Sequence, residues 1–147
     1  MKELRRGLIE NKLTKIIDSV NIIAENLPPD FDGFKRAGLV KDGIYKKIEF
    51  VIEGILDVCN IINSDLKLGM PEDEDNILDN LEIRNIFDKR VISLIREMKR
   101  FRNILVHRYG DINDEQAFET IRDSLKDIDL IIKKIEVFLR LREKKLN

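Results

Sequence analysis

Apolar residues recur at intervals of three and four positions along most of this chain, and this spacing is the feature that most constrains its fold. It is typical of amphipathic helices, in which such positions share one face. With 7 Gly and 3 Pro among 147 residues, few positions interrupt the pattern. The widest apolar face is formed by Ile44, Tyr45, Ile48, Val51, Ile52, Ile55, Val58, Cys59 and Ile62. The sequence therefore predicts an all-α fold.

The pattern divides into four main helices and one short helix. We expect a main helix over 2–27, over 39–68, over 86–108 and from 114 onward, and the short helix over 75–82. Helices of this kind pack their apolar faces together, and short connections favour an antiparallel bundle. We expect residues 1–147 to form a single domain, because the chain is long enough to bury a core without disulfides or a structural metal.

Polar residues and glycines between these segments predict where the helices begin and end. Asn113, followed by Gln116, resembles a capping box at the start of the final helix. Asn85 is a candidate N-cap for the helix over 86–108, and Gly110 is its expected end. The segment 28–38 contains proline, glycine and isolated aromatics, so we expect an ordered loop there.

The net charge of −1 conceals a strong segregation of charge. Residues 72–88 carry seven anions and one cation, whereas residues 89–109 carry seven cations and one anion. A polyanion responds to a local basic patch whatever the total charge. The candidate RNA-binding residues in the basic segment are Arg96, Lys99, Arg100 and Arg108.

Several classes of protein are disfavoured. No uncharged apolar run of about 18 residues occurs, and the N-terminus lacks the apolar core of a signal peptide. The single cysteine, Cys59, lies in an apolar stripe, so we expect it in the core. One cysteine also excludes an internal disulfide, which favours a cytoplasmic protein. One cysteine and one histidine do not make a zinc site, and no phosphate-binding glycine loop is present. We therefore expect no metal and no cofactor.

The stretch 100–110, RFRNILVHRYG, contains the only histidine and concentrates the polar chemistry of the chain. Arg102 offers a fixed cation for phosphodiester oxygens, and His107 can exchange protons near neutral pH. On a regular helix these two side chains point about 140° apart, whereas Asn103 and His107 share a face. Either the helix end is distorted, or the arginine reaches round, or the two ends of the motif serve one cleft from different directions. Gly110 favours distortion.

A structural interpretation of the same residues is also open. His107 would then be a histidine near a helix C-terminus, and Arg102 would pair with a carboxylate from another helix. Glu49, Glu53 and Asp57 are spaced four apart on the second predicted helix. They are possible supporting acids beside the arginine and histidine, although such stripes are more often solvated faces.

The single histidine bears on the oligomeric state. Metal-free RNA cleavage through the 2′-hydroxyl needs a base for that hydroxyl and an acid for the leaving oxygen. A two-fold dimer with this helix at its axis would bring two copies of Arg102 and His107 into one cleft. If the chain is a nuclease of this type, it should be a homodimer.

The order Arg102, four residues, His107, one residue, Tyr109, with Asn103 after the arginine, resembles the motif of HEPN-domain proteins and, more narrowly, of the HepT toxin family. The resemblance implies a homodimeric, metal-independent endoribonuclease toxin of a type VII-like toxin–antitoxin system. Arg102 would bind the scissile phosphate, His107 would serve in proton transfer or in aligning the 2′-hydroxyl, and Asn103 would orient them.

The resemblance also implies a partner, a minimal nucleotidyltransferase antitoxin that transfers AMP to Tyr109. Bulk and negative charge added there would block RNA binding. Two alternatives remain. The chain is a non-catalytic helical subunit or nucleotide-binding module that binds a nucleotidyltransferase, or it is a structural dimer whose motif residues maintain the interface.

Overall fold

In the computed structural model, residues 4–146 are described, with the side chains of 144–146 excepted, and this part of the chain contains helices and no strand. A 3-10 turn, Tyr109–Asp111, follows the fifth helix. The α-helices are α1 (Arg6–Asn26), α2 (Phe31–Lys35), α3 (Leu39–Asp65), α4 (Glu74–Ile83), α5 (Lys89–His107) and α6 (Asp114–Leu146). The all-α prediction is confirmed. None of the helices in this part of the chain is both long and apolar enough to cross a membrane.

The four long helices and the short helix α4 lie close to the predicted segments. The first helix begins at Arg6, later than predicted, and residues 2 and 3 of its predicted range lie outside the described residues. The segment 28–38 was wrongly predicted to be a loop, because it contains α2. The Asp30 carboxylate caps α2 by accepting the Gly33 backbone N–H at 2.8 Å. Phe34 is fully buried and stacks on Phe118 with ring centroids 5.2 Å apart. A helix of one turn is too short to show an apolar period, which is why the spacing missed it.

One of the three predicted helix boundaries is confirmed. The Asn113 side chain accepts the Gln116 backbone N–H at 3.0 Å, at the start of α6. Asn85 was wrongly predicted to cap α5. It lies just past α4 with a φ of 57°, in the left-handed region that asparagine tolerates. The cap is Asp88, which accepts the Val91 backbone N–H at 2.9 Å.

Gly110 was wrongly predicted to end α5. The helix ends at His107, and Arg108 leaves the helical conformation with φ −132° and ψ 32°. Gly110 lies inside the 3-10 turn and is not among the glycines with positive φ. Because α5 keeps its regular form up to His107, the predicted distortion of the helix end does not occur.

The long helices contact one another in a cycle, with α1 against α3, α3 against α5, α5 against α6 and α6 against α1. One cluster of buried apolar side chains fills the space between them and includes Cys59, as predicted. Helices α1 and α3 approach each other closely at Gly54, where a Cβ atom would lie 2.8 Å from Cγ1 of Ile16. Helix α4 packs on both α3 and α5, so side chains of three helices meet beside the motif.

Candidate active site

Helix α5 presents its apolar residues to the core and carries one charged residue among them. Val91, Ile95, Met98 and Leu105 are buried, and Arg102 is 7% exposed. A buried arginine must be compensated, because removing a charge from water costs several kcal/mol unless it is paired. The neighbours of Arg102 must therefore supply the compensating negative charge.

The Arg102 guanidinium is held by acids from two other helices. Its Nη1 donates to Oε1 of Glu53 on α3 at 2.9 Å and to Oε2 of Glu74 on α4 at 3.3 Å. Its Nη2 donates to Oε1 of Glu74 at 2.5 Å, which makes the Glu74 contact bidentate. Burial acts to lower the pKa of Arg102, but the hydrogen bonds to Glu74 and Glu53 outweigh it and the pKa is raised. The side chain is thus a permanent, fixed cation.

Asn103 completes this arrangement. Its Oδ1 accepts the Arg102 Nε–H at 3.0 Å, so the neighbouring side chain orients the plane of the guanidinium. Within the protomer, Arg102 therefore pairs with carboxylates from other helices, as the structural interpretation of the motif predicted. The same contacts leave a pre-organised cation, as phosphate binding also requires.

His107 lies on a different side of α5. It is the last residue of the helix and is exposed, whereas Arg102 points into the protein. Since α5 is regular up to this point, the two side chains diverge by about 140°. Within one protomer, the structure therefore does not bring the predicted phosphate ligand and the predicted proton carrier together.

The four predicted RNA-binding cations divide into two pairs. Arg96 bonds to Asp75 at 2.9 Å and to Asp79, and Lys99 bonds to Asp75 at 2.8 Å. The hydrogen bond from Lys99 is the main cause that lowers the pKa of Asp75. The acidic face of α4 thus neutralises part of the basic face of α5.

Arg100 and Arg108 form the other pair. Both are exposed, and neither forms an ion pair among the described residues. Of the four predicted RNA-binding cations, these two remain available to an external anion.

Of the three possible supporting acids, only Glu53 contacts the motif. Glu49 accepts a bond from Lys46 at 2.9 Å, and Asp57 faces Lys12 on α1 at 3.4 Å. Sequence reasoning missed Glu74, which begins α4 one position before the predicted start of that helix. The opposite charges of residues 72–88 and 89–109 were the available signal, because neighbouring segments of opposite charge tend to pair when they pack.

Tyr109 belongs to a second polar cluster, at the start of α3. Its hydroxyl donates to Oδ1 of Asp42 at 2.6 Å, and its ring packs edge-on against Tyr45 with centroids 6.0 Å apart. The Tyr45 hydroxyl donates to Oδ1 of Asp114 at 2.5 Å, and Lys41 binds Oδ2 of Asp114 at 2.9 Å. Sequence reasoning predicted none of these contacts.

Burial and the neighbouring acids affect both phenols. Burial, the hydrogen bond to Asp42 and the charges of Asp42 and Asp114 raise the pKa of Tyr109 to about 12. Burial and the bond to Asp114 raise the pKa of Tyr45 further. Both phenols are therefore protonated at neutral pH. Tyr109 is 48% exposed, whereas Tyr45 is 3% exposed, so only the former is accessible to a partner.

Comparison with known proteins identifies the family. The model of the family described as ribonuclease HepT-like matches residues 6–135. The chain belongs to the HepT-like ribonuclease family. A curated relative, the mRNA nuclease HepT of Shewanella oneidensis, is 24% identical over 125 residues, which cover 85% of this chain and 93% of the relative. The resemblance drawn from the motif is thereby confirmed, and so is the expectation of a ribonuclease family.

Solved structures share the fold of this HepT-like chain. The tri-AMPylated HEPN toxin of Shewanella oneidensis, in complex with its MNT antitoxin, is 24% identical with a TM-score of 0.79, covering 88% of this chain and 96% of that one. The cytosolic protein of unknown function YutE from Bacillus subtilis is 18% identical with a TM-score of 0.81, covering 97% and 95%. At identities this low, the structural similarity establishes a common fold and no more.

In this HepT-like chain, then, the motif is distributed over two places. Arg102 and Asn103 join Glu53 and Glu74 in a partly buried cluster between three helices. His107 is exposed at the end of α5, two positions before Tyr109. Across residues 4–146, no three histidine, cysteine, aspartate or glutamate side chains are grouped so as to hold a metal ion.

Proposed function

We propose that this chain is a metal-independent endoribonuclease toxin whose active site forms between the α5 helices of two copies. The observation that carries the proposal is the fixed, permanently charged guanidinium of Arg102, oriented by Asn103, on the same helix as an exposed imidazole, His107. Membership of the family, and a relative named as an mRNA nuclease, support RNA as the substrate.

The divergence of Arg102 and His107 is the reason for proposing two copies. Cleavage through the 2′-hydroxyl needs one group to accept its proton and another to protonate the leaving 5′-oxygen. One protomer supplies one imidazole, and it points away from its own arginine. A two-fold axis beside α5 places the His107 of each copy in the same cleft. Ile104, three positions before His107 and 43% exposed, supplies apolar surface for that contact. We also propose that the four long helices of each copy form an antiparallel bundle.

The role of Arg102 in this cleft follows from its partners. A carboxylate and a phosphate present similar pairs of oxygens to a guanidinium. The side chains of Glu53 and Glu74 are 44% and 40% exposed, so an arriving phosphate can displace one of them and keep the same geometry. Arg100 and Arg108 would hold neighbouring phosphates. Arg96 and Lys99, already paired with α4, would contribute less.

We further propose that a minimal nucleotidyltransferase antitoxin inactivates the chain by transferring AMP to Tyr109. The phenol is accessible and lies two positions from His107, so an added phosphodiester would bring bulk and negative charge to the RNA site. The solved Shewanella toxin, which is AMPylated and bound to its MNT antitoxin, supports this part of the proposal. A toxin of this kind would act in the cytoplasm, where its RNA substrate is found.

The test is RNA cleavage in EDTA by purified, AMP-free protein. We expect cleavage by the wild type, and losses on the order of 10²-fold or more for His107→Ala and Arg102→Ala. Arg90→Ala is the matched control, because it removes a cation from the first turn of the same helix. Light scattering must show that each variant keeps the oligomeric state of the wild type. Intact RNA after incubation with AMP-free wild type would refute the nuclease.

One observation favours a second function. Within the protomer Arg102 is already neutralised by Glu53 and Glu74, as a purely structural arginine would be. The chain would then be a non-catalytic subunit or nucleotide-binding module of a nucleotidyltransferase. In that case the AMP-free protein binds the nucleotidyltransferase, leaves RNA intact, and loses stability rather than activity when Arg102 is replaced.

A further inference from the structure

The hydroxyl of Tyr109 is held at a defined point on the surface. Tyr109 begins the 3-10 turn after α5, and its oxygen lies 2.6 Å from Oδ1 of Asp42, in the first turn of α3. Residues 42 and 109 are 67 positions apart in the sequence, so packing of the turn against α3 creates this contact. Both residues are exposed, which leaves the bonded oxygen accessible to another protein.

Residues behind this pair fix its geometry. The ring of Tyr109 meets the buried ring of Tyr45 at 86°, in an edge-on contact. The Tyr45 hydroxyl is itself bound to Asp114 at the start of α6, and Lys41 binds the other oxygen of that carboxylate. Three elements, α3, α6 and the 3-10 turn, therefore position one phenol and one carboxylate oxygen. The charged groups around the pair are Lys41, Asp114 and, near Asp114, Lys35 on α2.

We infer that Asp42 is the proton acceptor for AMP transfer to Tyr109, an inference that rests on the proposed regulation by a nucleotidyltransferase. In the transfer, Oη of Tyr109 forms a bond to the α-phosphorus of ATP. The bond from that phosphorus to the oxygen bridging to the β-phosphate breaks, and pyrophosphate leaves. The phenolic proton passes along the existing hydrogen bond to Oδ1 of Asp42.

The chemistry of the phenol makes such an acceptor necessary. A neutral phenol is a weak nucleophile, and with a pKa of about 12 Tyr109 is almost entirely un-ionised at neutral pH. The proton must therefore leave as the oxygen attacks. Among the described residues, Asp42 is the one whose side chain accepts a hydrogen bond from this hydroxyl. It is placed to hold the oxygen before the reaction and to take the proton during it.

The test compares two aspartate-to-asparagine variants of the full chain, each prepared free of AMP and mixed with a minimal nucleotidyltransferase, ATP and Mg²⁺. Asp42→Asn keeps an oxygen that accepts the hydroxyl but cannot take its proton. Asp111→Asn is the matched control, because it removes the same charge two positions from Tyr109 without touching the hydroxyl. Intact mass spectrometry measures the rate at which adenylyl groups are added.

We expect Asp42→Asn to slow the transfer on the order of 10²-fold at pH 7, and Asp111→Asn to change it less than about twofold. The ratio of wild-type to Asp42→Asn rates should fall as the pH rises. In the variant only the ionised phenol attacks, and its fraction grows about tenfold per pH unit below the tyrosine pKa. A purely structural role of Asp42 would not produce this change of ratio with pH.

Each other outcome overturns the inference. If Asp42→Asn is modified at the wild-type rate, Asp42 is not the acceptor, and modification of Tyr109 stands without it. If both asparagine variants slow the transfer equally, the general negative charge matters rather than this carboxylate. If the wild type itself gains no adenylyl group, the proposed regulation fails and the inference fails with it.

Discussion

The clearest energetic prediction concerns Arg102, whose side chain is 9% exposed and whose guanidinium is shared by two acids. Glu53→Gln or Glu74→Gln leaves the other carboxylate in place. The side chains of Glu53 and Glu74 are 44% and 40% exposed, so water can partly replace the contact that each carboxylate makes. Each single variant should therefore cost about 1 kcal/mol of unfolding free energy. Glu74→Gln should cost more than Glu53→Gln, because Glu74 makes two of the hydrogen bonds to the arginine.

The double variant should cost more than the sum. With both acids neutral, a buried cation has no counter-charge, and such losses typically reach about 3–5 kcal/mol. We expect about 3 kcal/mol here, since the long side chain can bend toward water. Adding Arg102→Met to the double variant should restore most of the loss, because it removes the charge that was left unpaired.

Urea unfolding followed by circular dichroism, at one fixed protein concentration, measures these differences. Asp129→Asn is the control, because its ion pair with Lys133 is exposed on both sides and should contribute little. If the two single effects add to within about 0.5 kcal/mol in the double variant, the acids do not share one buried cation and the reasoning is refuted.

Two further predictions concern the other charged clusters. In a spectrophotometric alkaline titration, Asp42→Asn should lower the pKa of Tyr109 from about 12 toward its ordinary value. The pKa of Tyr45, the second tyrosine, should fall less, because Asp42 raises it less than burial and Asp114 do. A tyrosine whose pKa is raised in the folded state stabilises the fold fully below about pH 10, and this stabilisation is lost as the pH rises through about 12. The wild type should therefore lose more stability than the variant over that interval. Equal losses would contradict this prediction. The double substitution Asp75→Asn with Asp79→Asn should release Arg96 and Lys99 and strengthen RNA binding severalfold at low salt. An unchanged affinity and salt slope, with Asp129→Asn as the control, would show that these cations do not face RNA.

Long periodic segments made the main helices predictable, because burial of an apolar face depends on spacing that is visible in the chain. Helix ends were less predictable. Asp88 rather than Asn85 caps α5, because an N-cap is decided by which side chain reaches a free N–H. The helix ends at His107 rather than near Gly110, because Arg108 already leaves the helical region. Helix α2 was missed because five residues show no period.

The candidate site was predictable only where it is local. The motif residues Arg102, Asn103, His107 and Tyr109 lie within eight positions. Chemistry suggested Arg102 and His107, and the resemblance to the HepT family supplied the roles of Asn103 and Tyr109. Their partners lie far away in the sequence, with Glu74 separated from Arg102 by 28 positions and Asp42 from Tyr109 by 67. Such contacts depend on how α4 packs against α5 and how the 3-10 turn packs against α3, and the opposite charges of residues 72–88 and 89–109 were the one sign of this packing in the sequence.

The ion pairs between α4 and α5 also make the evolution of the two helices interdependent. Loss of Arg96 alone would leave Asp79 without its cation and Asp75 with Lys99 alone, and loss of the acids alone would leave Arg96 and Lys99 unmatched. Substitutions tolerated at one side therefore depend on the residue at the other. Among relatives, these positions should vary together, with a cation on α5 accompanied by acids on α4, or neutral residues on both.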